Sequence, residues 1–71
     1  MFNKNELKAE MVRHGDNSQS LAKFLKISTS SLAKKMGGMQ DFKLGEVTAI
    51  IRRYNLSPID YDRIFFGFDV S

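Results

Sequence analysis

The sequence predicts an all-α domain of five short helices. Residues that start and stop helices recur about every 12 to 15 positions, in step with ordinary helix lengths. The apolar residues between them fall at i, i+3 and i+4 spacing, and no segment alternates as a half-buried strand would. A length of 71 residues allows one domain, residues 1–71, and no linker divides it.

Each helix has its own local signals. Asn3 is placed to cap the first, with Glu6 at the third position returning a capping bond. Phe2 and Leu7 stand where a hydrophobic staple forms, Leu7 and Met11 share a face, and Gly15 supplies the stop. Asn17 opens the second helix, whose inner face carries Leu21, Ala22 and Leu25. Only Lys26-Ile27 separates it from Ser28, the cap of a third helix that turns Leu32 and Met36 inward and ends at Gly37-Gly38. The fourth runs from Leu44 to Tyr54 with Leu44, Val47, Ile51 and Tyr54 on one stripe, widened by Ile50, and stops at Asn55. Ser57-Pro58-Ile59-Asp60 opens the fifth: Pro suits the first helical position, and Ser57 with Asp60 has capping-box spacing. Leu56 and Tyr61 offer a second staple.

Composition narrows the function classes. Hydrophobic residues make up 42% and charged residues 27%, the mix of a soluble globular chain. A core this small gains from well-patterned helices and from a partner subunit. Without cysteine there is neither a disulfide nor a thiolate metal site. His14 is the one histidine, and it falls at a helix C-terminus, where a partly charged imidazole is favourable. Asp60 and Asp62 are two apart on a helix and point to different faces, so they form no acid/base pair. Gly37-Gly38 lacks the spacing and the Lys-Ser/Thr ending of a phosphate loop. The four methionines read mostly as core packing. The expectation is a non-enzyme with no catalytic residues, cofactor, metal or small-molecule substrate. No apolar run reaches the roughly 18 residues that cross a bilayer, and the N-terminus lacks a signal-peptide pattern. A cytoplasmic protein is expected.

The net charge of +3 is modest, but its distribution is uneven. No acidic residue lies between Asp16 and Asp41, whereas Lys23, Lys26, Lys34 and Lys35 all do. A basic middle between mixed ends is the footprint of a surface that faces phosphate, or simply of a solvated lysine face. Within it, at about 17–37, two short helices are joined by a tight turn. The second begins Ser28-Thr29-Ser30-Ser31 and continues to Lys34-Lys35, so its outward surface is small, polar and basic. A helix that enters a major groove about 12 Å wide needs such a surface. Short side chains let the backbone approach, hydroxyls meet base edges, and lysines reach phosphate or guanine. Ala22 is small where the two helices cross, and Ile27 is placed to drop from the turn into the core.

At these residues the chain resembles the Cro and phage-repressor class of helix-turn-helix regulators, also called the xenobiotic-response-element class. Leu21-Ala22, Leu25, Ile27-Ser28, Ser31-Leu32 and Lys35-Met36-Gly37-Gly38 carry the likeness, together with Phe42, the helix from Leu44, and Asn55-Leu56-Ser57-Pro58. The likeness spans nearly the whole chain and implies a compact five-helix, lambda-repressor-like DNA-binding domain. There are two departures. Lys26 stands where the family usually has the glycine of the turn, and Lys43 where a Ser or Thr cap is common.

What the resemblance implies can be carried over residue by residue. Thr29, Ser30 and Lys34 take base-reading positions; Ser28 and Ala33 lie beside the groove walls. Asn17 and Ser18 match a phosphate clamp at a helix N-terminus, and Lys35, Gly38 and Lys43 are backbone-contact candidates. The expected function is that of a sequence-specific transcriptional regulator, a Cro-like repressor of a phage or prophage. It would bind a palindromic operator in double-stranded DNA as a homodimer, in a bacterial cytoplasm and on the nucleoid when bound. The apolar tail at 64–71, with Ile64, Phe65, Phe66 and Phe68, is read either as the dimer surface or as the last piece of the monomer core. The alternative function is a protein-interaction module, an antitoxin or antirepressor with weak or no DNA binding.

Overall fold

A computed structural model of the chain describes residues 2–65. Among these residues it is all-helical: α1 (Lys4–Arg13), α2 (Ser18–Leu25), α3 (Thr29–Met36), α4 (Leu44–Tyr54) and α5 (Pro58–Ile64). No helix among them is long and apolar enough to cross a membrane.

The helix starts are set locally. The Asn3 side chain accepts from the Asn5 and Glu6 amides. Glu6 does not return the bond, because the Asn3 amide donates instead to the Ile64 carbonyl at 2.7 Å. That bond ties the start of α1 to the end of α5. Asn17 and Ser20 form a reciprocal capping box on α2, each side chain accepting from the other's amide at 2.9 Å. The Ser28 hydroxyl accepts from the Ser31 amide at the head of α3. Ser57 and Asp60 make the expected box at the head of α5, with Pro58 in the first turn. At α4 the Lys43 side chain caps nothing, and the Glu46 carboxylate accepts from the Lys43 amide at 2.8 Å.

The turns need left-handed backbone at two non-glycine positions, Lys26 (φ 61°) and Asn55 (φ 51°). Asparagine adopts this conformation readily, whereas at Lys26 it costs about 1 kcal/mol. The α2–α3 turn therefore keeps its glycine-type geometry without the glycine.

The core gathers the inward face of every helix: Leu7 and Met11 from α1, Leu21 and Ala22 from α2, Leu32 and Met36 from α3, Val47, Ile50 and Tyr54 from α4, and Ile64 from α5. Phe42 and Phe65 complete it, and Leu25, Ile27, Ile51, Leu56 and Tyr61 pack on its margin. The Phe2 ring closes one end, its centroid 5.0 Å from Phe42 and 5.6 Å from Phe65. α2 packs on α3, and α1 on α5.

One expectation about the core is corrected. Leu44, placed on the inward stripe of α4, is 57% exposed, because its position in the first turn lies beyond the core's edge. Of the methionines, Met11 and Met36 are buried, whereas Met39 is 78% exposed in the loop before α4. Two of the four tail candidates, Ile64 and Phe65, lie within the described residues. Ile64 and Phe65 are buried inside this monomer, at 0% and 2% exposure, so neither is a dimer surface. Phe66 and Phe68 lie outside the described residues.

Candidate nucleic-acid interface

α3 is held by its buried stripe of Leu32, Lys35 and Met36 and by its contact with α2. With that stripe inward, Thr29, Ser30, Ala33 and Lys34 fall outside, and all four are exposed. Thr29 and Ala33 share one ridge, Ser30 and Lys34 the next, since residues four apart are neighbours on a helix. The Thr29 and Ser30 hydroxyls and the Lys34 ammonium engage no group of the described residues.

The end of α3 is locked by its backbone. The Lys34 carbonyl accepts from the Met39 amide at 2.9 Å and the Gln40 amide at 3.3 Å. Gly38 takes the left-handed conformation (φ 84°) that this reversal requires. A side chain at Gly37 would put its Cβ 3.2 Å from the Ala33 carbonyl oxygen.

The other candidates divide between internal work and openness. Lys35 is a correction: its side chain is 6% exposed, and its ammonium donates to Glu46 at 2.9 Å and to the Asp41 carbonyl at 3.3 Å. It pins α3 to α4 and to the loop between them, and reaches no phosphate. Burial opposes charge on Glu46, but the Lys43 amide and the Lys35 ammonium outweigh it and lower the carboxyl's pKa. The Ser28 hydroxyl caps α3 and also donates to Ser31 at 3.0 Å. The Gly38 amide donates to the Lys35 carbonyl at 3.3 Å, so its exposed backbone brings no free donor. Asn17, Ser18 and Lys43 are exposed, Asn17 with its side-chain oxygen held by the capping box. The first-turn amides of α2 have no carbonyl one turn back to bond, and they carry the helix's positive end. Lys23 and Lys26 are exposed in the same acid-free stretch.

Sequence reasoning missed the anchor of this surface. Asp16, between α1 and α2, accepts from Arg53 Nε at 2.6 Å and a second Arg53 nitrogen at 2.8 Å. It also accepts from the Tyr54 hydroxyl at 2.6 Å and the Ser20 hydroxyl at 2.7 Å. Hydrogen bonding to Arg53, joined by Tyr54 and Ser20, holds the Asp16 carboxyl well below the usual range despite its burial. Burial and the Asp16 bond push the Tyr54 phenol up. The Arg53 guanidinium also sits 4.4 Å over the Phe24 ring of α2, and His14 stacks on Tyr54 with centroids 4.9 Å apart. The cluster joins the α1–α2 corner and α2 to the end of α4.

Among the described residues no group of three or more His, Cys, Asp or Glu side chains is placed to hold a metal ion. No family model, no curated protein and no solved structure matches the chain.

Proposed function

We propose that this protein is a sequence-specific DNA-binding regulator of the Cro and phage-repressor class, with α3 lying in the major groove. One observation carries the reading. Thr29, Ser30 and Lys34 stand together on the outer face of a short helix, exposed and without side-chain partners among the described residues, in a stretch of chain free of carboxylates. A rigid helix with small neutral groups and one free cation outward suits close approach to a polyanion and hydrogen bonding at base edges. The α2 N-terminus with Asn17 and Ser18, and the Lys43 side chain, serve the phosphates on either side.

One α3 reads only about four base pairs, too few to single out a site in a genome, so the protein acts as a symmetric dimer. The two half-sites then lie roughly 34 Å apart, one turn of DNA. Its working place is the bacterial cytoplasm, on the nucleoid, and its output is phage or prophage transcription control.

Selection of bound sites from random duplex DNA tests this reading. The expected product is a palindrome whose binding weakens steeply as salt rises. A folded protein that retains no duplex even at low salt would sink the proposal and leave the protein-interaction reading.

A further inference from the structure

We propose that Lys34 reads a guanine in each half-site, and that it alone of the Lys34-Lys35 pair touches DNA. The inference rests on the DNA-binding reading and adds the base class. Lys35 is buried against Glu46 and the Asp41 carbonyl, so its charge is answered within the chain. Lys34 is exposed and has no such partner among the described residues. Its main chain is fixed by the two amides that converge on its carbonyl, so the side chain leaves from a defined point one turn beyond Ser30.

The chemistry of α3 narrows the choice of base. The helix Thr29–Met36 contains no Arg, Asn, Gln, Asp or Glu. It therefore has no carboxamide to bracket adenine and no carboxylate to accept from cytosine. Its one free long side chain is an ammonium, which donates and cannot accept. In the major groove guanine shows two adjacent acceptors, N7 and O6. Adenine sets an amino donor beside its N7, cytosine shows a donor, and thymine puts a methyl group beside its O4. Guanine is the base edge on which a lone ammonium meets acceptors only. The hydroxyls of Thr29 and Ser30 donate or accept, so they tolerate either partner, and the Thr29 and Ala33 methyls suit a thymine methyl.

The test uses the full chain and duplexes chosen by selection with the wild-type protein. Replacing the chosen guanine by 7-deazaguanine deletes N7 and keeps the base pair. Wild-type affinity is expected to fall about tenfold. Lys34→Ala should bind the unmodified site about as weakly and be indifferent to the replacement, with unchanged far-ultraviolet circular dichroism. Lys34→Arg should restore the preference for guanine. If the wild type selects a defined site but ignores the N7 deletion at every guanine, or Lys34→Ala selects the same guanine as strongly, this inference is overturned while the regulator reading stands. If folded wild type selects no site at all, both fall.

Discussion

The cluster around Asp16 and the outer face of α3 are both polar, yet the molecule uses them in opposite ways. Around Asp16 a carboxylate, a guanidinium, a phenol and a hydroxyl answer one another. On α3 two hydroxyls and an ammonium answer nothing among the described residues. The division runs even between adjacent residues, with Lys35 inside the fold's own network and Lys34 outside it. Polar groups that are paired under cover hold the helices in register. Polar groups that are grouped and left open add no side-chain bond among the described residues, and they stay available to a partner.

The largest effect that tests this contrast is expected at Asp16. Asp16→Ala leaves Arg53 and Tyr54 without their shared acceptor and should cost about 3 kcal/mol in urea unfolding at neutral pH. A variant as stable as the wild type would erase the distinction. Acid should act through the same group. The folded carboxyl holds its proton less tightly than the unfolded one, whose pKa is about 3.9, so Asp16 stabilises fully above that value. As pH falls from about 5 toward the lowered folded value, the unfolded state takes up the proton first and stability drains. Glu46 adds a contribution of the same sign. An Asp16→Asn chain should show a flatter stability curve over that window, and an unchanged slope would assign acid sensitivity elsewhere.

The adjacent lysines sharpen the comparison. Lys35→Ala leaves the largely buried Glu46 carboxylate without its charged partner and should cost about 2 kcal/mol by the same unfolding measurement. Between the two polar regions lies the turn at Lys26. Lys26→Gly relieves the left-handed strain and should raise stability by about 1 kcal/mol, with the base preference of duplex binding unchanged. The smallest change in stability is expected for Lys34→Ala, within about 0.5 kcal/mol. In titrations across salt, however, it should cut duplex affinity. If Lys34→Ala destabilised the fold as much as Lys35→Ala, the separation between the two lysines would be wrong.

The helices were legible because their signals are local. Asn3, Asn17, Ser28 and Ser57 each bond an amide no more than three residues away. The outward set on α3 was legible for the same reason, since Leu32 and Met36 fix the phase of one short helix. The Asp16 cluster was hidden because its partners lie 37 and 38 residues along the chain, on another helix. Lys35 had a signal that went unused: it falls with Leu32 and Met36 on the i, i+3, i+4 stripe. Only its pairing with Glu46, eleven residues on, makes burial of that charge tolerable. Ile64 and Phe65 looked equally suited to core and to interface, because apolarity alone does not say which surface covers a side chain.

The bond from the Asn3 amide to the Ile64 carbonyl has a kinetic consequence. α2 and α3 follow each other directly and can meet after closing a very small loop, whereas α1 and α5 must close one that spans most of the chain. Their union is therefore expected late in folding, and it covers Leu7 and Ile64. Hydrogen exchange at the Asn3 amide should therefore track the global opening of the molecule, although the group stands beside the first turn of a helix where fraying is the rule.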